Sequence, residues 1–185
     1  KPLSRKVALI TGSGGGIGRA IADKLIAEGA NVIFTDISEE YLDEAISQYS
    51  PDQAIACQCD VTNSKSIEKA IQKASIEFGG LDIVVHSAGL AISKPLEETT
   101  EDNWNLLQEV LVKGQFLLSR AAAKIMRKQD LGGNIVNIVS KNGLVSGPNN
   151  VGYGTAKASQ MHMSRLLAAE LATDQIRVNT VNPDG

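Results

Sequence analysis

The chain has 185 residues, of which 43% are hydrophobic and 21% charged, with a formal net charge of −3. This length and composition predict a single globular domain, residues 1–185, with a core large enough to bury most of the surface exposed by the unfolded chain. The mildly acidic balance argues against a nucleic-acid or membrane partner, and no apolar run is long enough to span a bilayer. The first residues carry no signal-peptide pattern, so a cytoplasmic location is expected. Cys57 and Cys59 are the only cysteines. Their spacing puts both on one face of a strand, as buried free thiols in a reducing compartment, and neither belongs to a metal-ligand cluster.

In chain order, residues 1–5 read as a mobile lead-in. Val7-Ala8-Leu9-Ile10 has the apolar, β-branched look of a strand buried on both faces. Thr11-Gly12 breaks it, residues 13–16 form a loop almost free of side chains, and Ile17, Ile21, Leu25 and Ile26 follow at helical spacing. Strand, glycine loop and helix together aim unpaired backbone N–H groups at a phosphate, and the helix dipole adds attraction. A second strand is expected over 31–35, ending at Asp36, then a helix over 39–48 and a third strand over 54–58 ending at Cys59-Asp60-Val61. Asp60 to Ser64 also suits the start of a helix, which is predicted over 66–78.

Residues 81–85 read as strand four, leading into His86-Ser87-Ala88-Gly89. Thr100 is a plausible cap for a long helix over 103–128. Its apolar positions at Trp104, Leu107, Leu111, Gln115-Phe116, Leu118 and Ala122 occupy more than one face. Strand five (134–139) runs directly into Ser140, a Gly/Pro/Asn loop covers 143–152, a helix spans 153–171 and strand six spans 176–181. Strands alternating with helices give a parallel sheet covered on both sides, a three-layer αβα arrangement.

Three groups stand out chemically. Tyr153 and Lys157 are four residues apart in a helical stretch, so they emerge from one face a turn apart. An ammonium beside a phenol stabilises the phenolate and draws its pKa down from about 10, as a general acid/base for an alcohol or ketone requires. Ser140 ends strand five, where open α/β sheets place ligands, and its hydroxyl can hold a substrate oxygen. Asp36 ends strand two, where a carboxylate accepts hydrogen bonds from ribose hydroxyls and repels a 2′-phosphate. With no Arg or Lys among residues 13–15 or directly after Asp36, NAD is preferred to NADP.

Gly12, Gly16 and Gly18 do not fit G-x-G-x-x-G, but together with Thr11 they fit T-G-x-x-x-G-x-G, the glycine pattern of the short-chain dehydrogenase/reductase family. The chain resembles that family from Lys6 to Pro183. The resemblance implies a Rossmann-type doubly wound parallel sheet and an NAD-dependent oxidoreductase acting on an alcohol or ketone. It assigns catalysis to Ser140, Tyr153 and Lys157, with Lys157 also holding the nicotinamide ribose. Cofactor binding falls to Gly12, Ser13, Gly14, Gly16, Ile17, Gly18, Asp36, Asp60, Val61, Ala88, Gly89 and Pro183 as well as Tyr153 and Lys157. Asn179 and Pro183 match the segment that borders the nicotinamide. A homo-oligomer, tetramer or dimer, is implied through the helices over 103–128 and 153–171.

Several departures qualify the resemblance. His86-Ser87-Ala88-Gly89 stands where the family has Asn-Asn-Ala-Gly, so the bracing given by the first asparagine must come from His86 or be absent. Leu111, three residues before Gly114 and five before Phe116, occupies the position of the family's catalytic Asn. That opens a second reading, an NAD-binding sensor or scaffold without much catalysis. The family's chain continues past this point with a lid and a seventh strand, so the sequence is expected to be truncated after strand six. Val139-Ser140-Lys141-Asn142 and Asn182-Pro183-Asp184 resemble the dehydrogenase half of bifunctional rhamnulose-phosphate aldolase/alcohol dehydrogenases and nearby sugar-alcohol dehydrogenases. Lys141 and Asn142 are accordingly candidates to meet a polyol or sugar phosphate.

Overall fold

The computed structural model describes residues 1–184. Six strands form one sheet: β1 (Val7–Thr11), β2 (Asn31–Asp36), β3 (Ala54–Gln58), β4 (Ile83–His86), β5 (Gly133–Ile138) and β6 (Ile176–Val181). All pairings are parallel and the order is β3-β2-β1-β4-β5-β6. The chain winds outward from β1 in one direction and, after β3, crosses to β4 and winds outward in the other. The reversal leaves a crevice beyond the carboxyl ends of β1 and β4, where doubly wound sheets bind ligands.

Among the described residues, six α-helices cover the sheet: α1 (Gly16–Ala27), α2 (Glu39–Ile46), α3 (Ser64–Phe78), α4 (Glu101–Leu107), α5 (Gly114–Gln129) and α6 (Val151–Glu170). The two-residue period of the strands separates two apolar layers. Ala8 and Ile10 of β1 join Val32, Phe34 and Val85 beneath α1 and α2. Leu9 joins Ile33, Val84, Ile135 and Val178 beneath α3, α5 and α6. No helix among the described residues is long and apolar enough to cross a membrane.

Several boundaries depart from the sequence pattern for identifiable reasons. Residues 1–5 are not a loose lead-in: Leu3 N–H donates to the Glu28 carbonyl (3.1 Å), and its side chain packs on the α1/α2 layer. On α1 the buried line is Gly18, Ala22 and Ile26, whereas Ile17 is half exposed. α3 starts at Ser64 because the Asn63 side chain accepts the Lys65 and Ser66 N–H groups, while Asp60 accepts from Thr62 in the preceding turn. Thr100 caps α4 as expected, accepting Asn103 N–H at 3.1 Å. The long helix is interrupted by a π-helical turn, Gln108–Lys113, that separates α4 from α5. Beyond that turn Gln115 is fully buried and Phe116 faces outward, 45% exposed, the reverse of what their polarities suggest.

Candidate active site

A cleft of about 480 Å³ lies over the carboxyl ends of the central strands. Gly12, Gly16, Ile17, Gly18, Asp36, Gly89, Tyr153 and Lys157 line it, joined by Gly15, Tyr41, Ser87, Leu90, Ala91, Ile138 and Val139. Of the residues singled out in the sequence, Ser13, Gly14, Asp60, Val61, Ala88, Ser140 and Pro183 lie outside that lining. Tyr41 was not anticipated. It sits in the first turn of α2, five residues past Asp36, with its Cβ beside Gly14 of the glycine loop.

The glycine loop is built for close approach in two senses. Gly12 has φ +66°, and a Cβ there would lie 2.7 Å from Ala88 Cα, so this glycine lets the β1 and β4 loops touch. Gly18 lets α1 close on the Gly12 carbonyl. These two glycines therefore serve packing within the protein, whereas Gly15 and Gly16 face open space. α1 begins at Gly16 with Gly15 as its cap residue and no capping side chain. The first-turn N–H groups thus have neither an intrahelical nor a side-chain partner, and their residues border the cleft. The other two loop amides are occupied: Ser13 N–H donates to the Thr35 carbonyl and Gly14 N–H to Asp36 Oδ2, both at 3.1 Å. Ser13 turns its hydroxyl inward to the Ile10 carbonyl and accepts Thr35 N–H at 2.8 Å, tying β1 to β2. Asp36 Oδ1 accepts Ser38 N–H at 3.1 Å, so its carboxylate is fixed at the cleft edge with lone pairs to spare.

At the other end, Tyr153 and Lys157 leave the same face of α6. Lys157 Nζ lies 5.6 Å from the centre of the Tyr153 ring and donates to the Ile138 carbonyl at 3.2 Å. Lys157 is almost wholly buried, and burial lowers its ammonium to about 8. Ser140, half-buried at the end of β5, accepts Asn142 N–H at 3.2 Å and so starts the short turn toward α6. The Lys141 backbone N–H donates to the Pro183 carbonyl and its ammonium pairs with Asp184, which commits that side chain to a loop-to-loop link. Asn179 is exposed on β6.

His86 does not brace the β4 loop. It is fully buried and neither ring nitrogen has a hydrogen-bond partner. The Thr11 hydroxyl takes that part, accepting both Ser87 and Ala88 N–H at 3.2 Å. Burial, with the neighbouring Lys157 charge second, lowers the His86 imidazole to about 3, so it is neutral at any working pH. Leu111 lies in the π-turn with no exposed surface, in a cluster with Leu107, Ala156, Leu90, Ile92 and Tyr153. No group of three or more potential metal ligands occurs among the described residues.

A parallel sheet reversing at β1/β4, an uncapped glycine-rich helix start and a Tyr–Lys pair on one helix face are features of one family, and the comparisons agree. The sequence profile described as short chain dehydrogenase matches residues 6–185, and the chain belongs to that family. It is 43% identical to an uncharacterized oxidoreductase of Bacillus subtilis, YuxG, across 98% of this chain but only 27% of that protein's length. It is 34% identical to an NAD-dependent glycerol dehydrogenase of Listeria innocua and 35% identical to a D-threitol dehydrogenase of Mycolicibacterium smegmatis. Both alignments cover 98% of this chain and 70% of the relative. The crystal structure of a short chain dehydrogenase from Mycobacterium smegmatis superposes with a TM-score of 0.95 at 32% identity, over 98% of this chain and 78% of that one.

Proposed function

We propose that this chain is an NAD-dependent dehydrogenase domain that interconverts a polyol or sugar-derived alcohol and its ketone. The observation that carries the reading is the buried Lys157 ammonium, anchored on the Ile138 carbonyl and set beside the Tyr153 ring on the cleft floor. NAD, when bound, takes or gives the hydride. Tyr153 removes the proton from the substrate hydroxyl during oxidation and returns it during reduction. Lys157 sets its positive charge beside the Tyr153 ring and would hold the nicotinamide ribose. Ser140 Oγ orients the substrate oxygen.

Fit to a dinucleotide is supported by the open N–H groups at the start of α1 and by the fixed Asp36 carboxylate. In this reading Gly16, Ile17 and Gly18 would hold the pyrophosphate, within the loop that Gly12, Ser13 and Gly14 shape, and Asp36 would accept hydrogen bonds from the adenosine ribose hydroxyls. Asp60 and Val61 border the adenine, Ala88 and Gly89 let the backbone come close, and Pro183 borders the nicotinamide. Preference for NAD over NADP rests on Asp36 and on Arg19, the nearest guanidinium in α1, which is directed at Glu44 instead of the cleft edge. The polyol assignment draws on the relatives named for glycerol and D-threitol. Exposed Trp104, Leu106, Phe116 and Leu166 support a homo-oligomer through α4, α5 and α6. The free, buried Cys57 and Cys59 suit a cytoplasmic setting.

A second reading, an NAD-binding protein with little catalysis, is favoured by one observation: the apolar, fully buried Leu111 offers no side-chain polar group near the pair. Calorimetry with NAD and NADP, followed by a turnover screen on sugar alcohols with the full-length protein, separates the two. NAD binding with turnover supports the dehydrogenase; tight NAD binding without turnover supports the second reading. Tighter NADP binding overturns the assignment of Asp36.

A further inference from the structure

Behind Tyr153 and Lys157, α6 continues the same inward face with Gln160 and Ser164, at spacings of four, three and four residues. Both are buried, and they face two further buried amides, Gln115 of α5 and Asn137 of β5. The bonds among them are specific. Gln160 Nε2 donates to the Leu111 carbonyl at 2.8 Å. Gln115 Nε2 donates to the Gln160 carbonyl (3.1 Å) and to Ser164 Oγ (3.0 Å). Asn137 Nδ2 donates to Ser164 Oγ at 2.9 Å, and Ser164 Oγ donates to the Gln160 carbonyl at 2.8 Å.

This seam is an expensive way to fill a core. Gln115 Oε1, Asn137 Oδ1 and Gln160 Oε1 are buried and receive no hydrogen bond, each a cost that an aliphatic side chain would avoid. Its geometry gives it a use. Among the described residues, Gln160 is the one side chain that hydrogen-bonds the π-turn carbonyl at position 111, and Asn137 lies one residue before Ile138, whose carbonyl holds Lys157. The seam therefore joins three elements around the Tyr–Lys pair: the helix that carries it, the strand that anchors its amine and the turn that carries Leu111.

We propose that Gln160 is a positioning residue for Tyr153 and Lys157, clamping α6 to the π-turn through the Leu111 backbone where no polar side chain is present at 111. The proposal rests on the reading of Tyr153 and Lys157 as the chemical pair. Gln160 itself lies outside the cleft lining, so the clamp acts only through the placement of Tyr153 and Lys157. The titratable groups beside Lys157 are His86 of β4, which stays neutral, and Tyr153 of its own helix.

The test uses the full chain with Gln160→Met, which keeps length and burial but cannot donate, and Ser164→Ala, which removes the hub hydroxyl. The clamp predicts a fall in kcat of about 10–100-fold in Gln160→Met, as expected of a misplaced reacting pair. KM for NAD should change by a smaller factor than kcat, and the melting temperature should change little, since loss of the bond to the Leu111 carbonyl is offset by removal of an unsatisfied acceptor. Ser164→Ala should lose rate in the same sense by a smaller factor. An unchanged kcat in both folded variants, or equal changes in kcat and KM, overturns the proposal. A second readout needs no turnover: the Lys157 ammonium, followed by nitrogen-15 NMR in the protein without cofactor, should titrate at about 8 in the parent chain. It should move upward in Gln160→Met as the loosened helix exposes it. If the parent is inactive on every alcohol, the dehydrogenase reading fails while this titration still decides the clamp, and an unmoved Lys157 rejects it.

Discussion

Burying Lys157 next to the cleft has a thermodynamic consequence that can be measured without any substrate. Burial takes its pKa from 10.5 in the open chain to about 8 in the fold. At roughly 1.4 kcal/mol per pH unit, the charged lysine costs the folded state about 3 kcal/mol at neutral pH. The unfolded chain binds more protons at this group than the folded one, so the penalty is full below pH 8 and fades as pH rises toward 10.5. Lys157→Met removes the penalty but also the hydrogen bond to the Ile138 carbonyl, worth about 1 kcal/mol. The variant should therefore be more stable than the parent by about 2 kcal/mol at pH 7, with the difference shrinking to about zero near pH 10. Urea unfolding followed by far-ultraviolet circular dichroism at the two pH values measures both differences. A variant less stable than the parent at pH 7, or a gap that does not change with pH, would refute the reasoning. The gain in stability should come with lost activity, as expected where a site is held against its own folding preference.

Three further outcomes follow. Asp36→Asn keeps the shape but removes the charge at the cleft edge, so NAD should bind about tenfold more weakly and NADP more tightly, by calorimetry; an unchanged ratio would dismiss Asp36 as the selector. Asn63→Ala, which strips the cap from α3, should cost about 1 kcal/mol in urea unfolding with no change in NAD affinity. Burial raises the Cys59 thiol to about 11, so native protein should resist iodoacetamide at pH 8 and react only when unfolded; rapid labelling of the folded chain would show that β3 is more open than the structure has it.

The fold was legible because strand and helix periods differ and each apolar run here follows one or the other. All six strands and the helices around them could be placed from that contrast. What the pattern missed was decided by single long-range bonds. The start of β4 was expected at Leu81 but begins at Ile83, because Leu81 N–H and its carbonyl are taken by the Gln129 side chain, at 2.8 and 2.9 Å, instead of a neighbouring strand. The π-turn at residues 108–113 has no sequence signal, since one extra residue per turn changes no residue type. The candidate site shows the same division. Tyr153, Lys157, Asp36 and the glycine loop are local spacings and could be read directly. That Thr11, and not His86, holds the loop after β4 depends on residues some seventy-five positions apart. Gln115 passed as one of a set of apolar helix positions because nothing near it in the chain names Gln160 or Ser164 as its partners.

The central claim is that Tyr153 moves the proton at the substrate oxygen while the rest of the cleft holds the cofactor. It is tested most directly by comparing Tyr153→Phe with the parent chain in NAD calorimetry and in turnover of a polyol that the parent oxidises. Loss of at least about a hundredfold in kcat with NAD affinity within about twofold is the expected result. Turnover by Tyr153→Phe at the parent's rate would contradict the account.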